Sequence, residues 1–301
     1  MNMRKHRNRR INVHTYILSQ ILIYYVVISK KNCYLLNMYG FLLKKNFCDG
    51  WDNLLSIIIT NVIFLFVALG IVVLNAVTAH NTVLLVLAFI LSFIIASIVI
   101  FAYGDSAAAI ADFNGIHYAD FFKAIPGVLK DASLFGLMCA LITMISGFSI
   151  RYYFEQKTTI AFMMGAAICW IDIFIILSLQ WFVPLRSNMH NNFTKCLRKC
   201  FIIFFDNTAF SVITGLYTIF LLVLTVLFIG FLPSVAGIEI AKANALRLRL
   251  YKYDYLEEHP ELQTKRERNK IPWEELIYDD RETLGPRKLR SFLFPWKDEQ
   301  R

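Results

Sequence analysis

The chain has 301 residues, 57% of them hydrophobic and 18% charged, with 26 Phe. Soluble domains hold roughly 45–50% apolar and about 25% charged residues. The composition therefore excludes an ordinary soluble globule, a disordered chain, a disulfide-rich secreted module and a collagen-like fibre. It predicts an all-α protein, a polytopic membrane helical bundle.

The net charge of +9 is concentrated at one end. Arg4, Lys5, Arg7, Arg9, Arg10, Lys30, Lys31, Lys44 and Lys45 precede the first acid, Asp49, and the remainder sums to zero. A basic flank of this kind argues for a cytoplasmic N-terminus, not for a surface that wraps nucleic acid. Residues 1–37 form a basic and apolar extension. Its apolar run, 11–29, has cations on both sides and no clear cleavage site. Met38 precedes Gly40-Phe41-Leu42-Leu43-Lys44-Lys45, which reads as a cytoplasmic lead-in. We expect translation to start at Met38; the alternative is an interfacial or anchoring helix over 11–29.

Six hydrophobic segments follow, and 38–250 reads as the transmembrane domain. The first span covers 54–75 and the second 82–103, joined by the uncharged turn 76–81. The third covers 133–150, the fourth 158–185 and the fifth 208–232. Pro233 then breaks the helix, and 234–250 is a weaker sixth segment carrying Glu239 and Lys242. Runs this long must bond their backbone internally in hydrocarbon, which makes them helices. A barrel would need alternation that 82–103 lacks. Lys123 and Lys130 mark the second connection; Arg186, Lys195, Arg198 and Lys199 mark the fourth. The third holds Arg151 and Lys157. Both ends cytoplasmic, with the second and fourth connections inside, fits these charges best.

The second and fourth connections are amphipathic. Tyr118, Phe121, Phe122, Ile125, Val128 and Leu129 recur at helical spacing, with Asp120, Lys123 and Lys130 off that stripe. Pro126 should kink or restart this helix. Phe193, Cys196, Leu197, Cys200, Phe201, Phe204 and Phe205 repeat the pattern against Lys195, Arg198 and Lys199. Both could lie along the cytoplasmic interface or extend the flanking spans. Phe121, Phe122, Lys123, Lys195, Arg198 and Lys199 are the candidate cytoplasmic interface. A shift of 76 positions overlays 82–103 on 158–179 and 133–150 on 209–226, which raises a span–connector–span duplication against coincidence of hydropathy.

Chemistry is sparse. There is no phosphate-binding glycine loop, no HExxH and no GxSxG. The six cysteines form no CxxC pair, and the histidines are scattered, so neither a cofactor nor a metal site is read. Asp172 stands out inside Ile168-Cys169-Trp170-Ile171-Asp172-Ile173-Phe174. An acid there costs about 2.5–3.5 kcal/mol on insertion scales and needs a partner or a cavity. Lys242, with Glu239 close by, is the expected partner, so Asp172, Glu239 and Lys242 form the candidate intramembrane polar site. The site would be either a proton or substrate position or a helix–helix tie.

The tail, 251–301, is polar and near neutral. Pro272-Trp273-Glu274-Glu275 reads as a helix start and Gly285-Pro286 as a turn. The basic and aromatic run 289–297 could dock on a membrane surface or a protein partner, or pack back on the connectors.

Asp120-Phe121-Phe122, Gln180-Trp181-Phe182-Val183-Pro184-Leu185, Phe193-Thr194-Lys195-Cys196-Leu197-Arg198-Lys199-Cys200-Phe201 and Arg247-Leu248-Arg249-Leu250-Tyr251-Lys252 resemble the YesL-like bacterial membrane family over about 41–253. The resemblance implies a multi-span bacterial plasma-membrane protein with no assigned activity, associated in some members with carbohydrate uptake. The chain departs from it at Val77-Thr78-Ala79-His80-Asn81, where the family has a proline-containing turn, and in its longer tail. The expected function is a non-enzymatic accessory or assembly component linked to a transport system. The alternative is a small secondary transporter or channel, in which Asn61, Asn75, Gln180, Asp172, Glu239 and Lys242 should converge on one cavity. A membrane-embedded enzyme would need a nucleophile–base or metal set that the sequence does not show.

Overall fold

The computed structural model describes residues 37–262, 264, 267, 268 and 271–287. The Met38 start and the 289–297 docking run turn on residues outside the described ones. The chain divides into two compact units. The larger is Asn46–Tyr253; the smaller consists of the residues before and after it.

Every regular element among the described residues is helical. Helix α1 covers residues 37–52. Then come α2 (Leu54–Thr78), α3 (Thr82–Ala111), α4 (Tyr118–Glu155) and α5 (Thr159–Leu179). The next are α6 (Phe182–Met189), α7 (Phe193–Asp206), α8 (Thr208–Leu227) and α9 (Ser234–Glu258), with α10 (Trp273–Leu276) and α11 (Tyr278–Leu284) in the tail. Short polar side chains start the long helices. Asn81 accepts from the Val83 and Leu84 amides, and Thr158 from Ala161. His117 and Asp120 form a reciprocal capping box at α4. Each satisfies amides that the first helical turn leaves orphaned.

Among the described residues, five helices are long and apolar enough to cross a membrane: α2, α3, α4, α5 continued through α6, and α8. Between 11% and 22% of each one's most apolar window is buried. Val72, Val77, Phe148, Ile160, Trp170, Ile176 and Val226 all point outward. A water-soluble protein does not present apolar faces of this extent, whereas lipid accepts them. The protein is a polytopic all-α membrane bundle.

Two expectations change. The count of six spans falls to five long apolar helices, because the sixth segment is α9, which is not among them. Its Ala236, Ile238, Ala241, Ala243, Ala245, Leu246 and Leu248 are buried, and so are Glu239, Asn244, Arg249 and Lys252. A helix enclosed by protein on most sides can carry such groups, which lipid would not solvate. Second, the first connector is not a separate helix. Residues 118–131 continue into the third span as one 38-residue α4, with Pro126 inside it. The second connector is the separate α7, which buries Cys196, Cys200, Ile203 and Phe204.

The tightest packing joins α3 and α4. A Cβ on Gly136 would stand 2.7 Å from the Ile94 Cα. Only glycine permits that backbone approach, a recurrent device of membrane helix pairs. The 76-residue overlay has no counterpart in packing. α3 and α4 lie along one another, whereas α5 and α8 meet chiefly where Gly215 faces Leu177 and Gln180 reaches Ser211.

In the smaller unit, α10 begins after Pro272 with Glu274 and Glu275 in its first turn, as expected. Gly285, at φ 66°, ends α11, and Lys44 donates to its carbonyl at 2.9 Å. Trp273, Ile277 and Leu284 are buried there.

Candidate functional site

The candidate intramembrane site does not assemble as expected. Asp172 on α5 accepts a hydrogen bond from the Ser146 hydroxyl of α4 at 2.7 Å. Lys242 pairs instead with Glu239, one turn away on α9, at 2.8 Å. The two acids thus belong to different helix contacts. The reason lies in the burial of α9: its own i, i+3 spacing already supplies Lys242 with a carboxylate.

The other intramembrane polar residues are also consumed separately. Asn75 donates to Ser92 at 2.8 Å, tying α2 to α3. Gln180 donates to the Ser211 carbonyl at 3.0 Å, and the Trp181 indole to the Ser211 hydroxyl at 3.1 Å, tying the end of α5 to α8. Asn61 donates to the Phe231 and Pro233 carbonyls and accepts from the Ala236 amide. Each contact joins neighbouring helices, which is the work polar side chains do where lipid provides no hydrogen bonds.

Around α9 a buried polar group remains partly unmatched. Among the described residues, Oε2 of Glu239 and the hydroxyl of Tyr103 have no hydrogen-bond partner, and Glu239 lies within electrostatic reach of Tyr103. Further along, Asn244 donates to Asn46 at 2.9 Å and to Asp49 at 2.7 Å.

At the opposite end of α9 the ionic contacts are denser than the sequence suggested. Lys252 donates to Asp206 and Asn207 at 2.8 and 2.7 Å. Asn207 donates to the Tyr253 hydroxyl, which donates to Asp206. Arg249 stacks 3.7 Å over the Phe210 ring. Burial, then the Asp206 carboxylate, raises the Tyr253 phenol well above its ordinary range. Arg247 pairs with Asp112 at the end of α3. Nearby, Arg186 on α6 reaches Asp105 of α3 at 3.2 Å, Asp131 of α4 at 3.5 Å and the Gly127 carbonyl at 2.9 Å. The sequence reading counted Arg186 only as a connection charge. Asp105 and Asp131, acids at the ends of apolar runs, were the available signal.

The candidate interface residues divide. Phe121 is 4% exposed and packs edge-on against Phe64, so it belongs to the core. Phe122 is exposed, as is Lys123, which pairs with Asp120. On α7, Lys195 and Arg198 are exposed, whereas Lys199 lies against the Met189 sulfur. The Arg186 contacts tie α6 to α4.

No group of three or more His, Cys, Asp or Glu capable of holding a metal occurs among the described residues. No family model, no curated protein and no solved structure matches this chain.

Proposed function

We propose that the chain is a non-enzymatic, multi-pass component of a bacterial plasma membrane, an accessory or assembly partner to a transport system. Both termini face the cytoplasm in this reading. The resemblance to the YesL-like family points the same way, toward carbohydrate uptake. One observation carries the proposal. Asn61, Asn75, Asp172 and Gln180 are each spent on ties between neighbouring elements, while Phe122 and Lys123 on α4 and Lys195 and Arg198 on α7 stand exposed. Cations there outnumber those at the α4–α5 turn, which suits a cytoplasmic face.

The test places a photo-crosslinking residue at Arg198 or Phe122 of the full chain in its native membrane, with Ile219 on the outer face of α8 as control. Protein adducts at the first two positions and only lipid adducts at Ile219 are expected. A tail-deleted chain, truncated after residue 253, tests whether the tail adds to the same adducts. Absence of protein adducts at Arg198 and Phe122 sinks the reading.

The alternative is a small secondary transporter or channel. The unpartnered Glu239 oxygen beside Tyr103 is the observation in its favour. Solute flux through the purified chain in liposomes, abolished by Glu239→Gln in a folded variant, would establish it.

A further inference from the structure

The connection between α8 and α9 contains no polar side chain: Phe228, Ile229, Gly230, Phe231, Leu232, Pro233. Phe228 is 57% exposed and Ile229 77%. Turns that meet water draw on residues such as Asn, Asp, Ser and Gly. The α2–α3 turn, with exposed His80 and Asn81, and the α4–α5 turn, with exposed Gln156 and Lys157, behave as water-facing connections. The α8–α9 turn does not.

Much of its backbone is satisfied by protein. The amides of Phe228, Ile229, Gly230 and Phe231 donate within the turn or back to α8. The Ser234 amide donates to the Thr225 hydroxyl at 3.0 Å. Asn61 takes up the Phe231 and Pro233 carbonyls and the Ala236 amide. Non-helical backbone at membrane depth is tolerated where protein covers it, and here Asn61 and α8 cover the main chain while the apolar side chains point outward.

Two neighbouring helices give the depth. Gly230 lies against Leu65 of α2. α2 continues thirteen residues beyond Leu65, to Thr78, or about 20 Å at 1.5 Å per residue. On the other side, α9 runs in the same direction as α3, with Glu239 near Tyr103 and Arg247 on Asp112. The start of α9 is therefore level with the region near residue 98, about 24 Å from Thr82. Both helices pass the turn and end together at His80 and Asn81. For tilts up to about 40°, the turn lies some 15–24 Å short of that surface. The hydrocarbon is only about 30 Å thick.

We propose that α8 and α9 form a re-entrant hairpin, whose apolar tip of Phe228, Ile229 and Phe231 lies against lipid acyl chains near the bilayer midplane. α8 is apolar because the outer face of its C-terminal half, including Ile219, Phe220 and Val223, meets lipid. α9 is polar because protein encloses it. The hairpin leaves by the surface it entered, so α2 to α5 cross and Asn46 and Tyr253 emerge on one side. This inference does not depend on the accessory role proposed above.

The test introduces Ile229→Cys, Asn81→Cys, Lys157→Cys and Lys195→Cys singly into the full chain in oriented membrane vesicles. Labelling by a membrane-impermeant maleimide is read as the gain over the parent chain. Asn81→Cys and Lys157→Cys should label from one side and Lys195→Cys from the other. Ile229→Cys should label from neither until detergent is added. A nitroxide at Ile229→Cys should then be relaxed by oxygen and not by a water-soluble nickel complex, which distinguishes lipid from burial in a misfolded protein. Labelling of Ile229→Cys from the Asn81 side means a complete crossing, and labelling from the Lys195 side means a surface loop. Either result overturns the proposal, as does relaxation by nickel.

Discussion

Asp172 and Ser146 face one another across the α4–α5 pair, with the hydroxyl donating to the carboxylate at 2.7 Å. The tie needs an acceptor at position 172, not a negative charge. Asp172→Asn should therefore unfold in detergent within about 0.5 kcal/mol of the parent, because the amide oxygen still accepts. Asp172→Leu should lose about 0.6–1.7 kcal/mol, the range of polar ties between membrane helices. Equal losses in both variants would mean that the charge itself matters, and would return Asp172 to consideration as a proton site.

Asn61 should be a more costly position. Its amide serves three backbone groups at the α8–α9 turn, and its side chain is buried. Asn61→Leu keeps the approximate volume and orphans the Phe231 carbonyl and the Ala236 amide, whereas the Pro233 carbonyl keeps the Gly237 amide. At about 1–3 kcal/mol per unsatisfied buried group, partly relieved by relaxation, a loss of about 2–4 kcal/mol is expected. Asn61→Asp should recover some of it, through the one acceptor it keeps for the Ala236 amide. Reversible unfolding in mixed micelles is the measurement; a loss under about 1 kcal/mol in Asn61→Leu would show that the clasp is incidental.

The contrast between Asn61 and Asp172 shows what hydropathy could and could not convey. Length and apolar content located each long helix, because lipid imposes one dominant constraint on them, but not the ends of α3 and α4, which run 8 residues past and 15 residues ahead of the apolar runs. The all-α bundle followed directly. What failed was pairing. Asp172 was matched to Lys242 because the sequence contains few membrane-level charges, yet the tie came from a serine that no hydropathy scale marks. α9 read as a weak span because averaging over a window cannot distinguish a helix surrounded by protein from one that never inserts. Arg186 looked like a sidedness signal, since its partners Asp105 and Asp131 are distant in sequence. Lys123, Lys195 and Arg198 are exposed as their places off the apolar stripes suggest; the spacing did not distinguish the buried Phe121 from the exposed Phe122.

Arg186 joins three helices through groups that cannot replace one another. Its side chain is 11% exposed, and those of Asp105 and Asp131 are 33% and 23% exposed. Arg186→Met leaves two carboxylates of like sign facing each other without a cation. Removing one partner of a fully buried pair costs about 3–5 kcal/mol; partial exposure here lowers the expectation to about 2–4 kcal/mol. Arg186→Lys should recover little, because one ammonium cannot match the planar fork that reaches both acids and the Gly127 carbonyl. In the Asp105→Asn/Asp131→Asn background, Arg186→Met should cost much less. A thermal-unfolding cycle with no such coupling would show that the three charges act independently.

Cys200 supplies a pH-dependent prediction. Burial pushes its thiol well above the ordinary value near 9, and the neighbouring Cys196 adds to the shift. Burial, then the Asp131 carboxylate, also raises Cys196. Folding thus favours the protonated thiol over the thiolate. That contribution to stability is fully present below the ordinary thiol pKa, and it declines as pH rises beyond it while the unfolded chain ionises. The thiolate is the reactive species, so Cys200 should resist iodoacetamide at pH 9.5 in the folded protein, where an exposed thiol is mostly ionised. It should alkylate readily once the chain is unfolded in dodecyl sulfate. The apparent unfolding temperature should fall between pH 8 and 10, and fall less in Cys200→Ala. Peptide masses report the alkylation directly, and a folded-state reaction with a midpoint near pH 9 would place Cys200 in contact with water rather than in the packing between α7 and its neighbours.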